Sequence, residues 1–133
     1  MKAREMANAP SRWKGKECKS MEDIKKVIDD MKNRFQVMAA GYISRDGMPK
    51  YIDLPEGAYP ETFSIMCATV MGAAGTAATE LGQKTPGHVI VETGEIKIFI
   101  VSEAMKGLLV AAIKTENKEE EILEYMKDVL KEI

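Results

Sequence analysis

Histidine and cysteine, which serve as metal ligands and nucleophiles, are scarce in this sequence. Among 133 residues there is one histidine, His88, and there are two cysteines, Cys18 and Cys67. Two cysteines do not make the disulfide framework of a small secreted domain, so we expect the reducing cytoplasm as the compartment. His88 has no second histidine, cysteine or acid at metal-ligand spacing, which argues against zinc. Nothing in the spacing demands that Cys67 and His88 meet as a nucleophilic pair. We therefore predict that the protein is not an enzyme and uses no metal or cofactor.

The sequence also lacks a strong overall charge and a secretory leader. The formal net charge is −2, which argues against a protein that binds nucleic acid through bulk charge. Residues 1–19 carry a net charge of +4, and the remainder carries −6. This basic segment has no apolar stretch of the kind found in signal peptides. A chain of this length has room for one core. We therefore predict a basic, flexible tail over residues 1–19 and one domain over residues 20–133.

Charge is missing altogether from one internal segment, Thr62–Thr79, in a chain that is 30% charged. At 100° per residue, the large apolar side chains of this region fall on one face of a helix. That face comprises Phe63, Met66, Cys67, Val70, Met71, Ala74, Ala77, Ala78 and Leu81. The opposite face is made mostly of small residues, namely Ile65, Ala68, Gly72, Gly75, Thr76 and Thr79. A surface helix carries charge on its outer face. We therefore predict a helix buried on both sides, with the large face on its own sheet and the small face against a second copy.

A membrane span is the alternative interpretation of this uncharged segment. A span requires about 20 predominantly apolar residues. The segment instead contains Ser64, Thr69, Thr76 and Thr79, two glycines and few large aliphatic side chains. We therefore predict no transmembrane segment.

The rest of the sequence alternates between helical and extended patterns. Ser20 as an N-cap, with Asp23 three residues later, predicts a helix that ends near Asn33. A second helix begins at Pro60 and ends at Gly82. A third helix follows a capping signal at Asn117 and Glu120. Strands are predicted over residues 36–44, 48–54, 88–93, 95–102 and 107–114, with a tight turn over residues 45–47.

These elements predict one five-stranded, mostly antiparallel sheet. Pro49 cannot donate a ladder hydrogen bond, which places the second strand at an edge. Residues 108–113 are continuously apolar, which places the fifth strand at the centre. Each terminal helix has one apolar stripe and suits one face of the sheet, while the central helix lies on the other. One helix about 10 Å wide cannot cover five strands about 4.8 Å apart, so we expect a partner helix beside it.

Two further motifs each have a functional and a structural interpretation. The run Gly72-Ala-Ala-Gly75-Thr76 contains the small residues of a phosphate-binding turn. It lacks the Gly-Lys-Ser/Thr ending and lies in a predicted helix, so helix packing is favoured. Arg45 lies at a predicted hairpin tip, where an arginine finger could reach a partner's nucleotide, although most turn arginines are merely solvated.

Four motifs, taken in order, point to a known family. They are Ala-Gly-Tyr-Ile-Ser-Arg-Asp-Gly-Met-Pro at residues 40–49, Asp-Leu-Pro-Glu-Gly at 53–57, Met-Gly-Ala-Ala-Gly-Thr-Ala-Ala-Thr-Glu-Leu-Gly at 71–82 and Val-Ile-Val-Glu at 89–92. Together with the element order they resemble the roadblock family, named after a dynein light chain. The similarity covers about residues 20–133 and leaves the basic tail as an addition.

The resemblance implies a profilin-like α/β (α+β) fold with the element order α-β-β-α-β-β-β-α. It also implies a homodimer in which two central helices pack antiparallel across a two-fold axis and the following strands pair edge to edge. The predicted interface residues are Ile65, Ala68, Gly72, Gly75, Thr76, Thr79, His88, Val89, Ile90 and Val91.

The resemblance further implies a function in regulation. Roadblock proteins bind or regulate Ras-like small GTPases, in bacteria as GTPase-activating partners, and serve as dimeric platforms in larger assemblies. No catalytic triad or metal site is shared across the family, so none is assigned to this chain. Two alternatives stay open: a structural adaptor that never contacts a GTPase, and a small-molecule sensor or enzyme with a deep pocket lined by His88 and Tyr42.

Overall fold

The fold consists of three helices and five strands among the residues that the structure describes. This computed structural model describes residues 21–103, 106–115 and 119–132. The helices are α1 (Met21–Phe35), α2 (Pro60–Glu80) and α3 (Glu119–Glu132). The strands are β1 (Ala39–Ile43), β2 (Pro49–Asp53), β3 (His88–Glu92), β4 (Ile96–Ser102) and β5 (Leu108–Lys114). The predicted basic tail and the predicted capping residues Ser20 and Asn117 lie outside the described residues.

The five strands form one antiparallel sheet in the order β2-β1-β5-β4-β3. β5 lies in the middle, and its first six residues are all buried. The central position predicted from the continuous apolar run is therefore confirmed. β2 lies at one edge, which confirms the position predicted from Pro49. β3 forms the other edge of the sheet.

Two helices, α1 and α3, pack on one face of this sheet, and one helix, α2, packs on the other. Val101 and Leu109 project toward α1 and α3, whereas Ile100 and Val110 project toward α2. This alternation follows from the two-residue period of a strand. The predicted α+β architecture, with the terminal helices on one face and the central helix on the other, is confirmed.

The layer of terminal helices is tied together by polar contacts. Tyr125 of α3 donates a hydrogen bond to the Asp30 carboxylate of α1. Burial raises the pKa of Tyr125, and Asp30 raises it further, so the phenol keeps its proton. Lys106 Nζ donates to the last carbonyls of α3, at 2.9 Å from Leu130 O and 2.6 Å from Lys131 O. These donors satisfy carbonyl groups that have no partner within the helix. This layer is therefore completed within one chain, unlike the layer formed by α2.

Gly107, the residue before β5, lies very close to the backbone of β1. A Cβ atom at this position would lie 2.3 Å from the carbonyl oxygen of Ile43. Because that oxygen belongs to the backbone of β1, it cannot move aside cheaply. We expect Gly107→Ala to lower the free energy of unfolding by about 1–3 kcal/mol, measured by urea denaturation. Gly94→Ala is the matched control, because its Cβ would have no heavy atom within 4 Å. Equal losses in both variants would contradict this packing.

Candidate functional site

The central helix α2 has well-defined ends. Pro60 occupies its first turn, where the missing N–H is not needed. At the other end Gly82 has φ +73°, a conformation that favours glycine. The N–H of Gly82 donates to Thr79 O at 3.0 Å, and the N–H of Gln83 donates to Ala78 O at 2.9 Å. This pair of bonds is a Schellman motif. The ends predicted from Pro60 and Gly82 are confirmed.

One narrow side of α2 packs against the sheet. Its buried residues are Ser64, Cys67, Met71 and Gly75, spaced three or four residues apart as one helix face requires. Cys67 and Met71 form a cluster with Ile100 and Val110 of the sheet. Gly75 lies against the loop after α2, since a Cβ there would be 3.4 Å from Thr85 Cγ2.

The orientation of α2 differs from the one predicted by side-chain size. Met66 is 52% exposed and Leu81 is 79% exposed, and Ala77 is exposed as well. The prediction that these three residues face the sheet is therefore wrong. Relative to this prediction the helix is rotated about its axis, with Ser64, Cys67, Met71 and Gly75 buried. Side-chain size alone does not predict this rotation.

The rotation divides the predicted interface residues of α2 into two groups. Ala68 packs against the cluster on the sheet, and Gly75 is buried within its own chain. The other four predicted residues are exposed, namely Ile65, Gly72, Thr76 and Thr79. They share the outer surface with Met66, Thr69, Ala73 and Ala77. We call this set of eight exposed residues the outer face of α2.

The outer face of α2 is apolar for an exposed surface. Two threonine hydroxyls donate hydrogen bonds to carbonyl groups of their own helix: Thr69 donates to Ile65 O at 2.7 Å, and Thr79 donates to Thr76 O at 2.9 Å. Ile65 is 48% exposed. Exposed apolar surfaces of this kind mark sites of contact with another molecule.

By length and composition, α2 is also the one helix in the described parts of the chain that is long and apolar enough to cross a membrane. Only 22% of its 18-residue window is buried inside the molecule. A core helix of a soluble protein passes the same length test but is mostly buried. Most of this window of α2 is exposed in the single chain.

The edge strand β3 lies beside α2 and contacts it. It pairs with β4 on one side only. Val89 packs with the cluster under α2. His88 is paired with Val101, which belongs to the α1 and α3 side, so His88 projects to that side. Burial and the charge of Lys127 lower the pKa of His88. α2 contacts β2, at the opposite edge of the sheet, as well.

A crevice with a mixed polar and apolar lining borders the outer face of α2. It has a volume of about 280 Å³ and lies between α2, the β1–β2 turn and the loop after α2. Its polar lining comprises Arg45, Thr76, Thr79, Thr85 and Ser102. Gly47, with φ +99°, places the turn against Ile65, which confirms the predicted tight turn. Arg45 lies in the exposed turn of the β1–β2 hairpin, as predicted, and also lines this crevice.

The two residues considered for nucleophilic chemistry lie on opposite faces of the sheet. Cys67 is under α2, whereas His88 projects toward α3. Within residues 21–103, 106–115 and 119–132, no group of three or more histidine, cysteine, aspartate or glutamate side chains could hold a metal ion. The feature that stands out is therefore a surface for binding.

Several known proteins resemble this chain. The profile of the Roadblock/LC7 domain matches residues 23–112, more than half of the chain. No curated protein sequence matches it. MglB of Myxococcus xanthus has a similar structure, with a TM-score of 0.78 at 12% identity over 88% of this chain and 89% of that one. A second MglB structure, described as having a tetrameric arrangement, gives 0.75 at 15% identity over 83% and 84%. A Roadblock/LC7 domain from Streptomyces avermitilis gives 0.73 at 15% identity over 80% and 90%. At these identities the structures establish the fold.

Cys67 provides a chemical test of the covered side of α2. The side chain is 5% exposed, and burial raises its pKa to about 11. Because the thiolate is the reactive form, we expect a Cys18→Ser variant to react with Ellman's reagent at pH 8 more than about 100-fold more slowly than a free thiol. Unfolding in guanidinium should restore full reactivity. Rapid reaction of the folded protein would contradict the burial of Cys67.

Proposed function

Because the chain belongs to the Roadblock/LC7 family, we propose that it is a homodimer that binds a Ras-like small GTPase and regulates it or docks it to an assembly. The observation that carries the proposal is the uncovered, uncharged outer face of α2 beside the open edge of β3. Each feature offers a surface that a partner could cover.

A second copy of the chain meets these needs through a two-fold axis between the two α2 helices. Gly72, Ala73 and Thr76 are small enough for a second backbone to approach within about 8–10 Å. Ile65 and Met66, at the N-terminal end of α2, provide the larger apolar contacts. α2 has 21 residues and is therefore about 30 Å long. Two such helices, together with the adjoining strands, offer the scale of a standard interface, about 800 Å² per partner.

The GTPase is the proposed partner of this dimer because regulation of Ras-like GTPases is the known work of the family. A binding surface without a nucleophile or metal ligand suits a regulator that acts on the conformation of its partner. Such a protein would order the switch loops of the GTPase, which contain the catalytic groups. Arg45 lines the crevice beside α2, so the proposal does not require it as an arginine finger.

A structural adaptor is the second candidate function. It would use the same dimer as a platform and contact no GTPase. The exposed outer face of α2 and the open edge of β3 support this candidate as well, since neither feature is specific for a GTPase.

Gly72→Leu tests the proposed helix contact. A Cβ at Gly72 would have no heavy atom within 4 Å in its own chain, so the substitution leaves the isolated fold intact. Across a close helix pair, a leucine would separate the two backbones. We expect the dissociation constant to rise at least about 10-fold, which is a loss of about 1.4 kcal/mol, measured by light scattering over a dilution series. Lys25→Leu, at an exposed position of α1, is the control, because it adds a leucine to the surface away from α2. An unchanged dimer in the Gly72 variant would count against this face.

The GTPase role is tested with purified small GTPases from the same genome. We expect the immobilised chain to capture at least one of them and to change its rate of GTP hydrolysis, followed by phosphate release. Arg45→Ala should leave the change within about threefold, because loss of a true arginine finger costs 10³–10⁵ in rate. Lys50→Ala, exposed on β2, is the matched charge control. If none of the GTPases is captured and none changes its rate of hydrolysis, the regulatory proposal is wrong and the structural adaptor is the remaining candidate.

A further inference from the structure

The crevice beside α2 has a buried apolar part and an exposed polar part. Its buried lining residues, which we call the floor, are Met71, Gly75 and Leu108. Its exposed polar lining residues, which we call the rim, are Arg45, Thr76, Thr79 and Thr85. Neither His88 nor Tyr42, the two residues predicted for a deep pocket, is among the described residues that line it. All the lining residues belong to one chain, so the crevice does not depend on the proposed dimer.

The size and the lining of the crevice suit a small molecule. Two glycines of α2, Gly72 and Gly75, line it, and a Cβ atom at Gly75 would already lie 3.4 Å from Thr85 Cγ2. The missing side chains therefore keep the space between the helix and the loop at Thr85 open. The volume of about 280 Å³ lies near the lower end of the range for small-molecule sites, about 300–1,000 Å³. Such sites combine apolar surface with a few polar groups that orient the ligand.

The charge at the rim comes from Arg45, the one charged residue among the described residues that line the crevice. The hydrogen bonds of the turn fix its position: Ser44 Oγ accepts from the Met48 N–H at 2.9 Å, and the Gly47 N–H donates to Ser44 O at 3.0 Å. Ser44 Oγ also donates to the carboxylate of the neighbouring Asp46. A guanidinium group has five N–H donors, so Arg45 can bind an anion and keep the contact that it makes within its own chain.

The hydroxyl groups of the lining add hydrogen-bonding capacity. The Thr79 hydroxyl donates to Thr76 O at 2.9 Å, and the Ser102 hydroxyl donates to Pro86 O at 3.2 Å. These two oxygens can therefore act towards a ligand as acceptors. The hydroxyls of Thr76 and Thr85 can each donate one hydrogen bond. The rim thus offers donors to an anionic group, while the floor offers apolar surface.

We propose that this crevice is a binding site for a small amphipathic anion, a carboxylate or phosphate group on a short apolar body. The anionic group lies at Arg45, whose guanidinium matches both groups with paired, parallel hydrogen bonds. The apolar body rests on Met71 and Leu108. Because Thr76 also belongs to the outer face of α2, the bound molecule lies at the border of the proposed interface.

Titrations of the full chain followed by amide NMR test this site. The probes are hexanoate and hexyl phosphate, and the tighter of the two identifies the preferred anionic group. We expect saturable shifts at Gly72, Thr76 and Thr85. 1-Hexanol lacks the charge and acetate lacks the apolar body, so each should bind at least about 10-fold more weakly than hexanoate or hexyl phosphate. If neither anion gives saturable shifts at these residues, or if 1-hexanol binds as tightly as both, the proposal is wrong.

Arg45→Gln separates the role of the charge from that of the apolar floor. Arg45 is exposed in its turn, so the substitution leaves the fold intact. We expect its affinity for the tighter anion to fall at least about 10-fold, with the affinity for 1-hexanol unchanged. Lys50→Gln, exposed on β2 and outside the crevice, is the matched control. Unchanged anion binding in the Arg45 variant, or an equal loss in the Lys50 variant, would overturn the site.

Discussion

The structure is organised around a helix with apolar residues on two sides, of which its own sheet covers one. Cys67 and Met71 pack on the sheet, whereas Ile65 and Met66 on the outside meet solvent. Apolar surface left in water costs roughly 25 cal/mol per Å². Threonines that bond to their own backbone do not relieve this cost. The eighteen consecutive residues without charge in the sequence reflect these two apolar sides of α2.

The proposed dimer would provide two different kinds of interaction at once. The outer face of α2 offers apolar contact, and the open edge of β3 offers backbone hydrogen-bonding groups. A regulator built in this way acts through a composite surface and needs no reactive side chain.

Most of the fold was predictable because it follows from local chemistry. Pro49 at an edge, Gly82 at a helix end and the apolar run of β5 each act through the backbone or through burial of one strand. The rotation of α2 was not predictable from side-chain size, because Met66 and Leu81 are exposed while Ser64 and Gly75 are buried. The spacing of Ser64, Cys67, Met71 and Gly75 contained the correct face, but Met66 and Leu81 outweighed it in a count of large side chains. Tertiary contacts of small residues leave little signal in hydrophobic periodicity.

The most direct test of the central claim is the mass of the unmodified chain in solution. If a second copy covers the outer face of α2, sedimentation equilibrium will give a mass of at least twice 14.8 kDa, falling toward that of one chain only on dilution. A stably folded protein that sediments as a single chain at all concentrations would show that the outer face of α2 tolerates water. That result would contradict the account.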